Sequence, residues 1–111
     1  MANRVIYSSH FIRKAKDLNK KHLSFKVDLE ALEQSLIANP KQGDNLGAGL
    51  YKVRLAVKSK GKGKRGGYRV ITYLVSEANN DIVINMLTVY DKSEESSIDK
   101  PRLLKSMQDI L

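Results

Sequence analysis

Apolar positions recur along this chain with two different periods, and the change from one to the other divides it in half. Phe11, Ala15, Leu18 and His22 follow one another at spacings of four, three and four, with Arg13, Lys14, Lys16, Lys20 and Lys21 between them. Such spacing collects one stripe on one side of an α-helix and leaves a basic outer face. Ser8 and Ser9 stand in front of it, and a serine there accepts the free amide hydrogens of a first turn. Phe25, Leu29, Leu32 and Leu36 repeat the period from near Ser24 until Asn39-Pro40 stops it. The few residues between the two stripes predict an antiparallel helical hairpin. Ahead of it, "NRVIY" (3–7) is short and β-branched, which predicts a strand.

Residues 41–49, "KQGDNLGAG", have the glycine and Asn/Asp content of a turn-rich connection. Beyond them the period becomes two. In "LYKVRLAV" (50–57), Tyr51, Val53, Leu55 and Val57 fall on one face of a strand, and Lys52, Arg54 and Lys58 on the other. "YRVITYLV" (68–75) and "IVINMLTVY" (82–90) are longer apolar runs joined by "SEANND", the pattern of central strands in an antiparallel meander. A last helix is predicted after Asp99, with Pro101 in its first turn and Leu103, Leu104, Met107, Ile110 and Leu111 on its buried side. The expected fold is α+β in the order β-α-α-β-β-β-α: an N-terminal strand, a helical hairpin, a three-stranded antiparallel meander completing a curved sheet, and a C-terminal helix.

The length of 111 residues suits a single domain spanning 1–111, and 41% hydrophobic residues suffice for one core. With no cysteine, disulfides, thiol nucleophiles and thiolate metal sites are excluded. The first residues lack the apolar run of a signal peptide, and no stretch of 18 apolar residues occurs, so a cytoplasmic protein without membrane contact is expected.

Charge changes the picture more. Lys+Arg number 20 against 12 Asp+Glu, a formal charge of +8. Between Asp44 and Glu77 no acid occurs, while Lys52, Arg54, Lys58, Lys60, Lys62, Lys64, Arg65 and Arg69 all do. A field of one sign, concentrated in this way, favours a polyanion, with nucleic acid first. Within that region "GKGKRG" (61–66) fits G-x-G-x-x-G, yet a strand follows it instead of a helix, so the dinucleotide-binding context is missing. No Gly-Lys-Ser/Thr closes an ATP-type phosphate loop either. The stretch joins two strands whose cations share a face, and its glycines allow close approach of a phosphodiester.

Cutting RNA through its own 2′-hydroxyl requires a proton acceptor, cations around the crowded phosphorane and a proton donor for the 5′-oxygen. His10 and His22 lie on the first helix, His22 on its apolar stripe, and fit structural or surface positions. No carboxylates or paired histidines in the basic region offer a metal site, so no cofactor is expected. Lysine, arginine and tyrosine are left. A lysine crowded by cations titrates below its usual value of about 10.4, which makes the neutral amine accessible as a base. Arginine stays charged and holds phosphate through two hydrogen bonds.

"YKVRLAVKSKGKGKRGGYRVITYLV" followed by "NMLTVYDKSEESSIDK" resembles the RelE/ParE superfamily of bacterial toxins, and within it the HigB-like, RelE-type mRNA endoribonucleases. The resemblance runs from about residue 50 to 100. It implies a toxin that enters the ribosomal A site, cleaves mRNA without a metal and is held inactive by a cognate, HigA-like antitoxin. It further implies catalytic roles for Lys52, Arg54, Arg69 and Lys92, with Lys58, Lys60, Lys62, Lys64 and Arg65 on the substrate. The tyrosine that some members carry beyond the last basic position would fall near Ile98, which transfers no proton. Tyr90 and Tyr73 are then the candidate proton donors. Two other readings stay open: a ParE-like gyrase inhibitor of the same fold, and a basic RNA-binding protein without catalysis.

Overall fold

In the computed structural model, residues 2–60 and 67–93 are described. Strand β1 (Arg4–Tyr7) leads into helix α1 (Ser9–Lys21) and, after a three-residue turn, helix α2 (Phe25–Ala38). Strands β2 (Asp44–Gly47), β3 (Leu50–Leu55), β4 (Tyr68–Ser76) and β5 (Ile82–Asp91) follow. Short 3-10 turns occupy Lys58–Lys60 and Ala78–Asn80. The helix expected after Asp99 lies outside the described residues.

The cap of α1 forms where the sequence places it. Ser8 accepts from the Phe11 amide at 3.0 Å, while its own hydroxyl donates to the Leu87 carbonyl at 2.9 Å, so one side chain caps α1 and ties it to β5. The expected stripes become the core: Phe11, Leu18, Phe25, Leu32 and Leu36 are buried, and they pack with Val53, Leu55, Val57, Val70, Ile84, Met86 and Val89 from one sheet face. His22 closes α1 and meets the Tyr68 hydroxyl at 2.7 Å.

The five strands form one sheet in the order β1-β5-β4-β3-β2. β1 runs parallel to β5, and every other pair is antiparallel. Opposite the helices a second cluster gathers Leu50, Ile71, Leu87 and Tyr90, with Leu46 and Tyr73 against it. The β4–β5 register passes from Ile71↔Thr88 to Thr72↔Met86, leaving Leu87 as the extra residue of a bulge. A bulge of this kind bends and twists the sheet locally.

The structure departs from the expectation at residues 41–49. The connection there contains an edge strand, because Asp44 and Asn45 pair with Lys52 and Tyr51. Gly47, Ala48 and Gly49 turn the chain in the left-handed region (φ 88, 54 and 85), and Gly47 donates to the Asn45 side chain at 2.8 Å. The strand expected over 50–57 also ends two residues early, at Leu55, yet Val57 stays buried in the core.

Candidate active site: a basic cleft across β2, β3 and β4

Alternation along β3 sends Val53 and Leu55 into the core under the helices and Lys52 and Arg54 to the opposite face. Register then decides what meets them. Arg54 stands directly opposite Arg69 of β4, and Lys52 directly opposite Asp44 of β2. Residues paired in this way share a face, with Cβ atoms roughly 4.5–5.5 Å apart. Lys92 follows the end of β5, beside the strand that carries Arg69. These five residues, Asp44, Lys52, Arg54, Arg69 and Lys92, line one cleft of ≈ 130 Å³. A water occupies about 30 Å³ in the liquid, so the cleft has room for a small hydrated anion or a phosphate group.

Two guanidinium-bearing residues side by side repel each other, and like charges directly opposite in a sheet are destabilising. Their arrangement is the one a bound anion would relieve. Arg69 is the more constrained, with only 4% of its surface exposed and its Nη1 donating to the Tyr68 carbonyl at 3.2 Å. Arg54 is exposed. A buried guanidinium beside an exposed one offers two bidentate contacts to a single phosphate.

The four residues singled out as catalytic candidates therefore come together. The tyrosines do not join them among the described residues that line the cleft. Tyr90 faces Arg69 across β4 and β5 but is 2% exposed in the second apolar cluster. Tyr73 faces Leu50 and Asn85, four residues along β4 from Arg69, which at about 3.4 Å per residue is roughly 14 Å. His10 lies with Nε2 3.1 Å from the Thr88 hydroxyl, and partial burial, followed by the charges of Lys14 and Arg13, lowers its pKa. Neither histidine lines the cleft.

Lys58 is exposed at the start of the 3-10 turn. Lys62, Lys64, Arg65 and the side chain of Lys60 lie outside the described residues, as does Ile98. What holds the chain where this basic stretch begins is a hydrogen-bonded clasp. Buried Asp28, in the first turn of α2, accepts from the Lys58 amide at 2.9 Å and from the Ser24 hydroxyl at 2.7 Å. Ser24 and Ser59 exchange amide-to-hydroxyl bonds of 2.8 and 3.1 Å.

Sequence reasoning missed Asp44 and Asp28. For Asp44 a signal existed: "DNLGAGLY" is a hairpin pattern, with leucines at 46 and 50 flanking glycines. Asp28 reads as an ordinary polar helix residue and has no such signal. Among the described residues, no group of three or more His, Asp or Glu side chains is placed to hold a metal ion, and no helix is long and apolar enough to cross a membrane.

No protein-family model matches the chain. Among solved structures it is similar to the E. coli toxin RelE, in a double arginine-to-alanine mutant in the free state. The TM-score is 0.61 and the identity 16%, with all of both chains covered. Likeness at that identity is a likeness of fold, and over its whole length this chain has the fold of a RelE-type toxin.

Proposed function

We propose that this protein is the toxin of a toxin–antitoxin pair and acts as a metal-independent endoribonuclease, cutting mRNA in the ribosomal A site. The observation that carries the reading is the convergence of Lys52, Arg54, Arg69 and Lys92 on one cleft of phosphate size. A protein that only neutralised phosphates would need cations spread along a surface, whereas here they are held on strands around a point. In the reaction the 2′-oxygen attacks phosphorus as the bond to the 5′-oxygen breaks, leaving a cyclic phosphate. Arg69 and Arg54 bind the non-bridging oxygens and stabilise the charge that grows on them in the phosphorane. Lys52 and Lys92 add charge at the rim, and each ammonium carries a proton that a leaving oxygen can take.

Lys58 and the basic residues 60–65 are assigned to RNA binding by their charge. The partner that restrains such a protein is an acidic antitoxin of the HigA type, drawn by the +8 charge. The site of action is the cytoplasm, where translating ribosomes are.

The test is primer extension on a defined mRNA with purified protein, with and without translating ribosomes. Cuts that appear only during translation are expected. Growth arrest without any mRNA cleavage, accompanied by loss of gyrase supercoiling activity, would replace this reading by the ParE-like one. RNA binding with neither effect would leave a non-catalytic RNA-binding protein.

A further inference from the structure

The cleft is lined by four cations and one carboxylate, and the carboxylate is the group that sequence reasoning left in a loop. Its position is built. Gly43 (φ +91) precedes it, and a Cβ there would lie 2.3 Å from the Lys52 carbonyl oxygen, so the chain can approach β3 this closely only through glycine. That approach sets Asp44 opposite Lys52 at the rim of the sheet.

Resting on the nuclease reading, we propose that Asp44 is a catalytic residue: the proton acceptor for the attacking 2′-hydroxyl. The argument is chemical first. Lysine and arginine are protonated at neutral pH unless strongly perturbed, which makes them poor proton acceptors. An aspartate is ionised at neutral pH and ready to accept a proton. Asp44 is the one carboxylate among the described residues lining the cleft.

Geometry agrees. In an in-line displacement, acceptor and donor stand on opposite sides of phosphorus. Strand order places Asp44 on β2 at one side, Lys52, Arg54 and Arg69 on β3 and β4 in the middle, and Lys92 past the end of β5 at the other. The 2′-oxygen gives its proton to the Asp44 carboxylate and forms the bond to phosphorus. The 5′-oxygen leaves and takes a proton from the Lys92 ammonium. The two protons balance, and the middle three cations hold the phosphate. The charged groups that face Asp44 across the cleft are Lys52, Arg54, Arg69 and Lys92.

The test is single-turnover cleavage of mRNA on programmed ribosomes by the full chain, with Asp44→Asn, Asp44→Glu and Lys92→Ala, together with binding of an mRNA whose scissile 2′-hydroxyl is replaced by hydrogen. Asp44→Asn is nearly isosteric at an exposed edge position, and thermal unfolding checks that it folds. Its rate at saturating protein is expected to fall about a hundredfold or more, with binding of the uncleavable mRNA unchanged or tighter. Asp44→Glu should recover part of the rate. On an mRNA with sulfur in place of the scissile 5′-oxygen, which leaves without a proton, Lys92→Ala should be restored and Asp44→Asn should stay slow. An unchanged Asp44→Asn rate, or a loss explained by weaker binding, overturns the role of Asp44 while wild-type cutting keeps the nuclease reading. Wild-type protein that leaves the mRNA whole overturns both.

Discussion

Replacing Arg69 with methionine should separate catalysis from folding, because the two effects have different sizes. The side chain is 4% exposed, so an unbranched apolar replacement of similar length fills most of its space and leaves little cavity. Three of the contributions to stability can be sized. The bond from Nη1 to the Tyr68 carbonyl disappears, worth about 1–3 kcal/mol for a charged donor. The repulsion from Arg54, directly opposite, is relieved by about 0.2–1 kcal/mol. Apolar burial of the new side chain returns about 1.5–3 kcal/mol. These offset one another, and any net loss of stability should stay within about 1.5 kcal/mol. For a domain of this size that is a Tm shift of no more than about 10 °C. Catalysis has no such compensation. If the proposed reaction is right, losing the buried Arg69 guanidinium should cost about a hundredfold or more, roughly 2.7 kcal/mol of transition-state stabilisation. The assays are growth after induction at matched expression, single-turnover cleavage on programmed ribosomes, and thermal unfolding of the same preparation. A folded Arg69→Met protein with wild-type rate removes Arg69 from the site. A Tm that collapses by 20 °C shows that the guanidinium serves the fold, and refutes the separation argued here.

Gly43→Ala should lower stability by about 2 kcal/mol or more, since it combines a left-handed φ with a Cβ pressed against the Lys52 carbonyl, and an unchanged melting curve would contradict the close approach. Asp28→Asn should cost about 1–3 kcal/mol and speed hydrogen exchange at the Lys58 amide; exchange as slow as in wild type would show that the clasp does not depend on the charge. Binding of a short single-stranded RNA to the isolated protein should weaken with salt, with a log–log slope of at least about −0.7 for the one phosphate the cleft holds, and Lys52→Ala should weaken that binding. A slope near zero would mean that phosphates do not enter the cleft.

Much of this fold was legible because burial imposes periods. The stripes Phe11-Ala15-Leu18 and Phe25-Leu29-Leu32-Leu36 could only be helical, and they carry the observed core. Period two over 50–55 was enough to put Lys52 and Arg54 on one face, and strand pairing did the rest by bringing Arg69 opposite Arg54. What escaped depended on pairing. Asp44–Gly47 carries a hairpin pattern but little apolar content, and it is a strand because β3 offers a free edge. The parallel β1–β5 pairing is likewise invisible locally, since nothing in "NRVIY" says which strand it will join. Arg69 sits inside an otherwise apolar run, where sequence shows the charge but not the burial. Asp28 acquires its function only when Lys58 arrives from thirty residues away.

The placement of β5 also sets the order in which the molecule can be made. Its residues 82–91 lie between β1 and β4, and the Ser8 hydroxyl bonds across 79 residues to the Leu87 carbonyl. Until that strand has left the ribosome, β1 has no neighbour and the face under the helices is open. Long-range closure of this kind is late in folding and slow compared with forming a helical hairpin. Lys92 comes later still. A nascent chain therefore carries its cations for most of its synthesis without a cleft to hold them.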